Sequence, residues 1–179
     1  MIGQDSEDEA EAKPIVRRYN SMSELMIERN PEPYNAEPVP GALIERFLTP
    51  QNLFYVRSHG PVPDLPADHR IEVGGISVGE CSISIAELKA RFPVRTVTAV
   101  LQCAGNRRTD LQQVGKTSGD PWDIGAIGNA EWTGVRLADL LDAVGASDAS
   151  NLFACFTGAD EVDVEGEVAP FGVSIAMTK

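Results

Sequence analysis

A chain of 179 residues has room for one domain with a real core, and its formal net charge of −12 excludes the basic face that nucleic acid requires. Its hydrophobic fraction of 42% suits a globular protein, yet no apolar run approaches the roughly 20 residues of a membrane helix. Cys81, Cys103 and Cys155, an odd number without CxxC spacing, fit neither a disulfide framework nor a structural zinc site and read as reduced thiols.

The N-terminus has neither the basic-then-apolar layout of a secretory signal nor an arginine-rich transit composition. The compartments compatible with it are the cytoplasm, or a mitochondrion or other organelle if residues precede Met1. Asp5 to Glu11 hold five acidic side chains and no basic one, which predicts disorder. Tyr19 to Arg29 is expected as a short helix with Met22, Leu25 and Met26 on one face, capped near Ser21 or Ser23. Residues 1–30 are thus expected as an acidic tail and arm, and the domain proper over 31–179. Pro31, Pro33, Pro38 and Pro40 then enforce an extended path.

Phe54-Tyr55-Val56 predicts a strand that delivers Arg57 and His59 to its end, where Gly60-Pro61 and Pro63 break it. Arg57 offers a permanently charged, planar fork of donors suited to an oxyanion. From Arg70 to Ile85 the pattern is that of a hairpin, with Gly74-Gly75 and Gly79 as turn signals. Ser84 and Glu87 form a capping box for a helix over Ile85 to Phe92, stopped by Pro93. Val94 to Leu101 is an apolar, β-branched strand that ends beside Cys103, with Arg107 and Arg108 close in sequence. Nearby cations favour a thiolate, which is a nucleophile or a soft metal ligand; a free cysteine is also at home as a small buried apolar residue.

Val114-Gly115-Lys116-Thr117 has Asp110 where a phosphate loop needs its first glycine, so it reads as a surface excursion. Trp122 to Gly134 is rich in small residues, which fits either close approach of backbone to a flat ligand or tight packing. A helix starting at Thr133 or Gly134 follows, with Val135, Leu137, Leu140, Leu141 and Val144 near helical spacing and Gly145 as its stop. Asn151 to Thr157 is a strand leading to Gly158-Ala159-Asp160, then an acidic run to Glu167. The alternation of strands and short helices predicts an α+β domain.

Three segments, in order, resemble the sulfite oxidase family of molybdenum enzymes. Leu101 to Arg108 is similar to its cysteine motif, Phe54 to Pro63 to its arginine and histidine segment, and Trp122 to Ala130 with Trp132 to its glycine-rich segment. The likeness runs from about Pro38 to Lys179, with Phe171 to Ile175 matching a further strand. It implies the sulfite oxidase-type molybdopterin-binding fold, mixed sheets with short helices, and a chain incomplete at its C-terminus and without the family's dimerisation domain.

The resemblance also implies a molybdenum held by a pterin dithiolene, with the Cys103 thiolate as the only protein ligand, soft sulfur suiting a metal that cycles between oxidation states. By the same likeness Tyr55, Val56, Arg57, Ser58, His59 and Asp160 surround the cofactor, Arg57 orients sulfite, and Arg107 and Arg108 shape the metal loop. The expected reaction is oxidation of sulfite to sulfate, with electrons passed to an external acceptor, a cytochrome or oxygen, and no haem within the chain. Two alternatives stand beside it: a nitrate reductase-type molybdoenzyme, and a non-catalytic remnant that binds pterin weakly or not at all. No nucleic-acid or membrane partner is expected.

Overall fold

The strands of the described residues pair two at a time, in four antiparallel two-stranded sheets. The computed structural model describes residues 25–76, 78–146, 151–164 and 166–177. The acidic stretch Asp5 to Glu11 lies outside them, as does the first half of the anticipated N-terminal helix.

The second half of that helix is corrected. Met26–Pro31 is strand β1, paired antiparallel with β2, Tyr34–Pro38, so the hairpin runs across the 30/31 boundary drawn from sequence. Helical spacing of three apolar residues yielded here to cross-strand pairing. Arg29 is the bulged residue between Glu28 and Asn30, and the bulge aims its guanidinium at Glu37 on β2. Helix α1, Pro40–Leu43, starts with Pro40 in its first turn, where a missing N–H costs nothing.

Phe54 to Val56 forms no strand of its own. A 3-10 turn at Gln51–Leu53 precedes it, and only Val56 pairs, as an isolated bridge in which Val56 and Ala36 exchange hydrogen bonds of 2.8 and 3.0 Å. The run is too short for a ladder, yet it lies along β2 all the same. Strands β3, Arg70–Val73, and β4, Cys81–Ser84, make the anticipated hairpin. Helix α2, Ile85–Arg91, begins with both bonds of the Ser84–Glu87 capping box.

The longest uninterrupted pair is β5, Val94–Gln102, against β6, Ile127–Val135, in register from Val94↔Val135 to Gln102↔Ile127. The second half of the small-residue stretch is therefore a strand, and the helix begins later than expected. Helix α4 is Leu137–Ala143, because Thr133 to Val135 are held in the ladder. Helix α3, Arg108–Gln112, was not anticipated. Strand β7, Phe153–Val164, is much longer than the sequence suggested, pairs with β8, Glu167–Ala176, and carries Asp160 within it rather than in a loop.

The buried apolar residues are few, among them Ala36, Leu53, Ile83, Trp122 and Leu140, while Val97, Val100, Phe153 and Val173 stand exposed on β5, β7 and β8. The five buried residues named come, in order, from β2, the 3-10 turn, β4, the loop before β6 and α4, and helix α2 buries none of its residues. No helix of the described residues is long and apolar enough to cross a membrane.

Candidate functional site

Strand β5 stops at Gln102, and the next residue is Cys103. Its N–H donates to the Ala126 carbonyl at 3.0 Å, which ties the end of β5 to the turn before β6. Its sulfur, half-buried and in no disulfide, accepts the Gly105 N–H at 3.3 Å. A tight turn follows, closed by the Asn106 N–H on the Cys103 carbonyl at 3.0 Å, while Asn106 Oδ1 accepts the Ala126 N–H at 3.2 Å. Arg107 then adopts φ 65°, the one positive φ outside glycine among the described residues, and its N–H donates to the Asp123 carbonyl at 2.7 Å. Such a backbone persists only where its surroundings hold it.

Both guanidinium groups of the motif have other partners. Arg107 Nε donates to Asp110 at 2.7 Å, and Arg108 Nη1 donates to the Asp120 carbonyl at 2.6 Å. The donor that reaches the sulfur is a backbone N–H, and the two arginines brace the loop around it.

The second part of the site is the segment after the 3-10 turn. Phe54 stacks on Tyr55 at 5.4 Å and meets Trp132 of β6 edge-on at 5.8 Å, its ring filling the space where a Gly128 side chain would project. This brings Tyr55 to the cysteine. Burial, and then the charge of Cys103, push the Tyr55 phenol above its usual range. Arg57 Nη2 lies 3.1 Å from His59 Nδ1, and Arg57 Nη1 donates to the Ser58 carbonyl. Because a guanidinium can only donate, Nδ1 of His59 accepts and its ring proton sits on Nε2.

The His59 ring stacks on Phe171 of β8 with centroids 4.3 Å apart and 18° between planes. Burial lowers the His59 pKa, the Arg57 charge lowers it further, and Asp160 and Asp120 pull the other way. Asp160 comes from an irregularity in β7. Between Thr157↔Gly172 and Glu161↔Pro170, residues 158–160 face the single residue Phe171 of β8. Its carboxylate folds back over Gly158, and a Cβ there would collide with Oδ1. Arg57 and His59 are thereby in contact, while Cys103 acts electrostatically on Tyr55 and Asp160 on His59; the backbones of Val56 and Ser58 are bound to β2.

Sequence reasoning missed two residues that hold this arrangement. Asn35 Oδ1 accepts the Ser58 N–H at 2.6 Å and Asn35 Nδ2 donates to the Ser58 carbonyl at 3.1 Å. Glu37 Oε1 accepts the Asp123 N–H at 2.7 Å and Arg29 Nε at 2.5 Å, and its Oε2 accepts the Gly125 N–H at 2.6 Å. Both are buried. A buried Asn and Glu on a short strand are the available signal, but burial itself is not written in the sequence.

The residues suit a metal that arrives with its own donors. Among the described residues no three His, Cys, Asp or Glu side chains converge to hold an ion alone. A single thiol accepting one backbone N–H still has lone pairs to offer, and a soft metal bound through other sulfurs is the group it matches. Trp122 Nε1, fully buried on the turn that braces the cysteine loop, has no hydrogen-bond partner among the described residues.

The family model described as the oxidoreductase molybdopterin binding domain matches residues 59–179. The sulfite oxidase of Gallus gallus is 47% identical over 147 residues, 80% of this chain and 31% of that protein. The mitochondrial sulfite oxidase of Drosophila melanogaster is 40% identical over 148 residues, 82% of this chain and 25% of that protein. An NADH nitrate reductase of Brassica napus is 34% identical over 175 residues, 96% of this chain and 19% of that protein. The chain therefore spans under a third of the length of these relatives. The solved sulfane dehydrogenase SoxCD from Paracoccus pantotrophus shares the fold, with a TM-score of 0.62 at 24% identity over 99% of this chain and 43% of that one.

Proposed function

The chain belongs to the oxidoreductase molybdopterin-binding domain family, and from that premise we propose that it holds the molybdenum pterin of an enzyme that oxidises sulfite to sulfate. The observation that carries this reading is the sulfur of Cys103, half-buried beside Tyr55, on a segment that also presents Arg57 and His59. The sulfite oxidases above are also nearer in identity than the nitrate reductase, at 47% and 40% against 34%.

Cys103 would supply the one protein ligand, its thiolate. When bound, the cofactor supplies two-electron oxo transfer. The chain's own residues bind and orient. Arg57 offers sulfite a fixed, permanently charged fork, and His59 Nδ1 holds one of its terminal nitrogens in place. With its pKa lowered, His59 is neutral at pH 7, so it accepts from Arg57 without competing for the anion's charge. Asp160 suits a ring that presents N–H donors, as a pterin does. Tyr55 keeps its proton and closes the cysteine's side of the site. Val56 and Ser58 line the cofactor through backbone, and the domain takes in residues 31–179 with β1 attached through its ladder. Electrons leave to an external acceptor, a cytochrome or oxygen.

The test is turnover by the full chain produced with the cofactor, assayed with sulfite and with nitrate beside a molybdenum determination. Stoichiometric molybdenum with sulfite-dependent reduction of an acceptor supports the reading. Nitrate turnover alone moves the chain to the nitrate branch, and absence of molybdenum ends the proposal. Arg57→Met should raise KM for sulfite by about 10–100-fold, the worth of a charged hydrogen-bonding group at about 1.5–3 kcal/mol.

A further inference from the structure

Asn35 and Glu37 are the buried polar side chains of the described residues, and they stand two apart on the same strand. Side chains at i and i+2 leave a strand on the same face, about 6.6 Å apart. From that face Asn35 grips the Ser58 peptide on both its N–H and its carbonyl. Between the two grips, the Ala36 backbone exchanges both hydrogen bonds with Val56. The chain on both sides of Arg57 is thereby fixed against β2 by four hydrogen bonds, two at Val56 and two at Ser58.

Glu37 grips the other half of the site at one remove. Its two oxygens take the Asp123 and Gly125 N–H groups, and Gly125 comes so close over the carboxylate that a Cβ would lie 2.9 Å from Oε2. That same turn returns its carbonyls to the cysteine loop, Ala126 to the Cys103 N–H and Asp123 to the Arg107 N–H. Glu37 touches neither Cys103 nor Arg107. It holds the turn on which both hang.

We infer that β2 is a yoke, in which Asn35 and Glu37 are positioning residues that set the Arg57–His59 segment in register with the Cys103 loop. The inference rests on the function proposed above, since registry matters because an oxyanion held by Arg57 must meet a centre bound at Cys103. An apolar residue at either position could still sit in the strand, but would leave the backbone N–H groups of Ser58, or of Asp123 and Gly125, without these acceptors.

The test uses the full chain produced with cofactor, in wild type, Asn35→Ala and Glu37→Gln, followed by amide exchange over two segments and by sulfite kinetics. Asn35→Ala should speed exchange at Arg57 to Gly60 by about tenfold or more, leave Cys103 to Arg107 unchanged, and raise KM with kcat near wild type. Glu37→Gln should speed exchange at the Cys103 and Arg107 amides, which residue 37 does not contact, leave Arg57 to Gly60 unchanged, and lower kcat. Equal loosening of both segments by either variant, or of neither, overturns the inference. Should Glu37→Gln fail to fold, Asn35→Ala decides by the same two outcomes. A wild type without sulfite turnover would defeat the parent reading, while the exchange pattern would still judge the yoke.

Discussion

Arg57 and His59 form a pair in which a permanent cation keeps an imidazole neutral, and this is measurable residue by residue. His59 should titrate below its ordinary 6.5, held down by burial and then by Arg57. Arg57→Met should raise the midpoint by removing the repelling charge, and Asp160→Asn should lower it by removing an attracting one, as read from the ring resonances by NMR. The linkage follows in sign. With the folded value depressed, the unfolded chain binds more protons just below pH 6.5, so this group's stabilisation is full above 6.5 and erodes as pH falls toward the folded midpoint. A midpoint at or above 6.5 would contradict the pairing. Cys103, Arg57 and His59 were legible in the sequence because their residue types carry the chemistry and their segments resemble a known family. Asn35 and Glu37 were not, because an amide and a carboxylate read as solvated until the fold buries them.

Single elements can be broken independently of the site. Ser84→Ala removes the capping acceptor of α2 and should cost about 1 kcal/mol in denaturant unfolding while leaving molybdenum content unchanged. Arg29→Ala should cost more, about 3 kcal/mol, since it strands the fully buried Glu37 carboxylate without its counter-ion while Arg29 itself is only 17% exposed. A loss under 1 kcal/mol would show that Arg29 does not anchor the hairpin. The elements with local signals were readable: the β3–β4 hairpin from its glycines, α2 from its capping box, β5 from its β-branched run. The others depended on distant partners. β1 owes its shape to β2, and β7 runs from an apolar start through Gly158 into an acidic stretch with most of its residues exposed, so no single hydrophobic period marks its length. Helix α3 follows the left-handed Arg107, a turn that only the Asp123 carbonyl explains.

At the scale of the whole molecule, small sheets surround a modest core and leave apolar residues such as Val97, Val100, Phe153 and Val173 exposed. Contiguous exposed apolar surface drives association. The 179-residue chain should therefore bind a hydrophobic dye and associate with rising concentration, and Val97→Lys should weaken both with under about 0.5 kcal/mol change in stability. Unchanged association in that variant would remove β5 as the surface responsible. The working of the whole molecule turns on Cys103, its one proposed metal ligand. X-ray absorption at the molybdenum edge of the loaded chain, wild type against Cys103→Ser, tests that role most directly. The molybdenum of the variant should have one sulfur neighbour fewer; an identical sulfur count in both proteins would show that Cys103 is not its ligand.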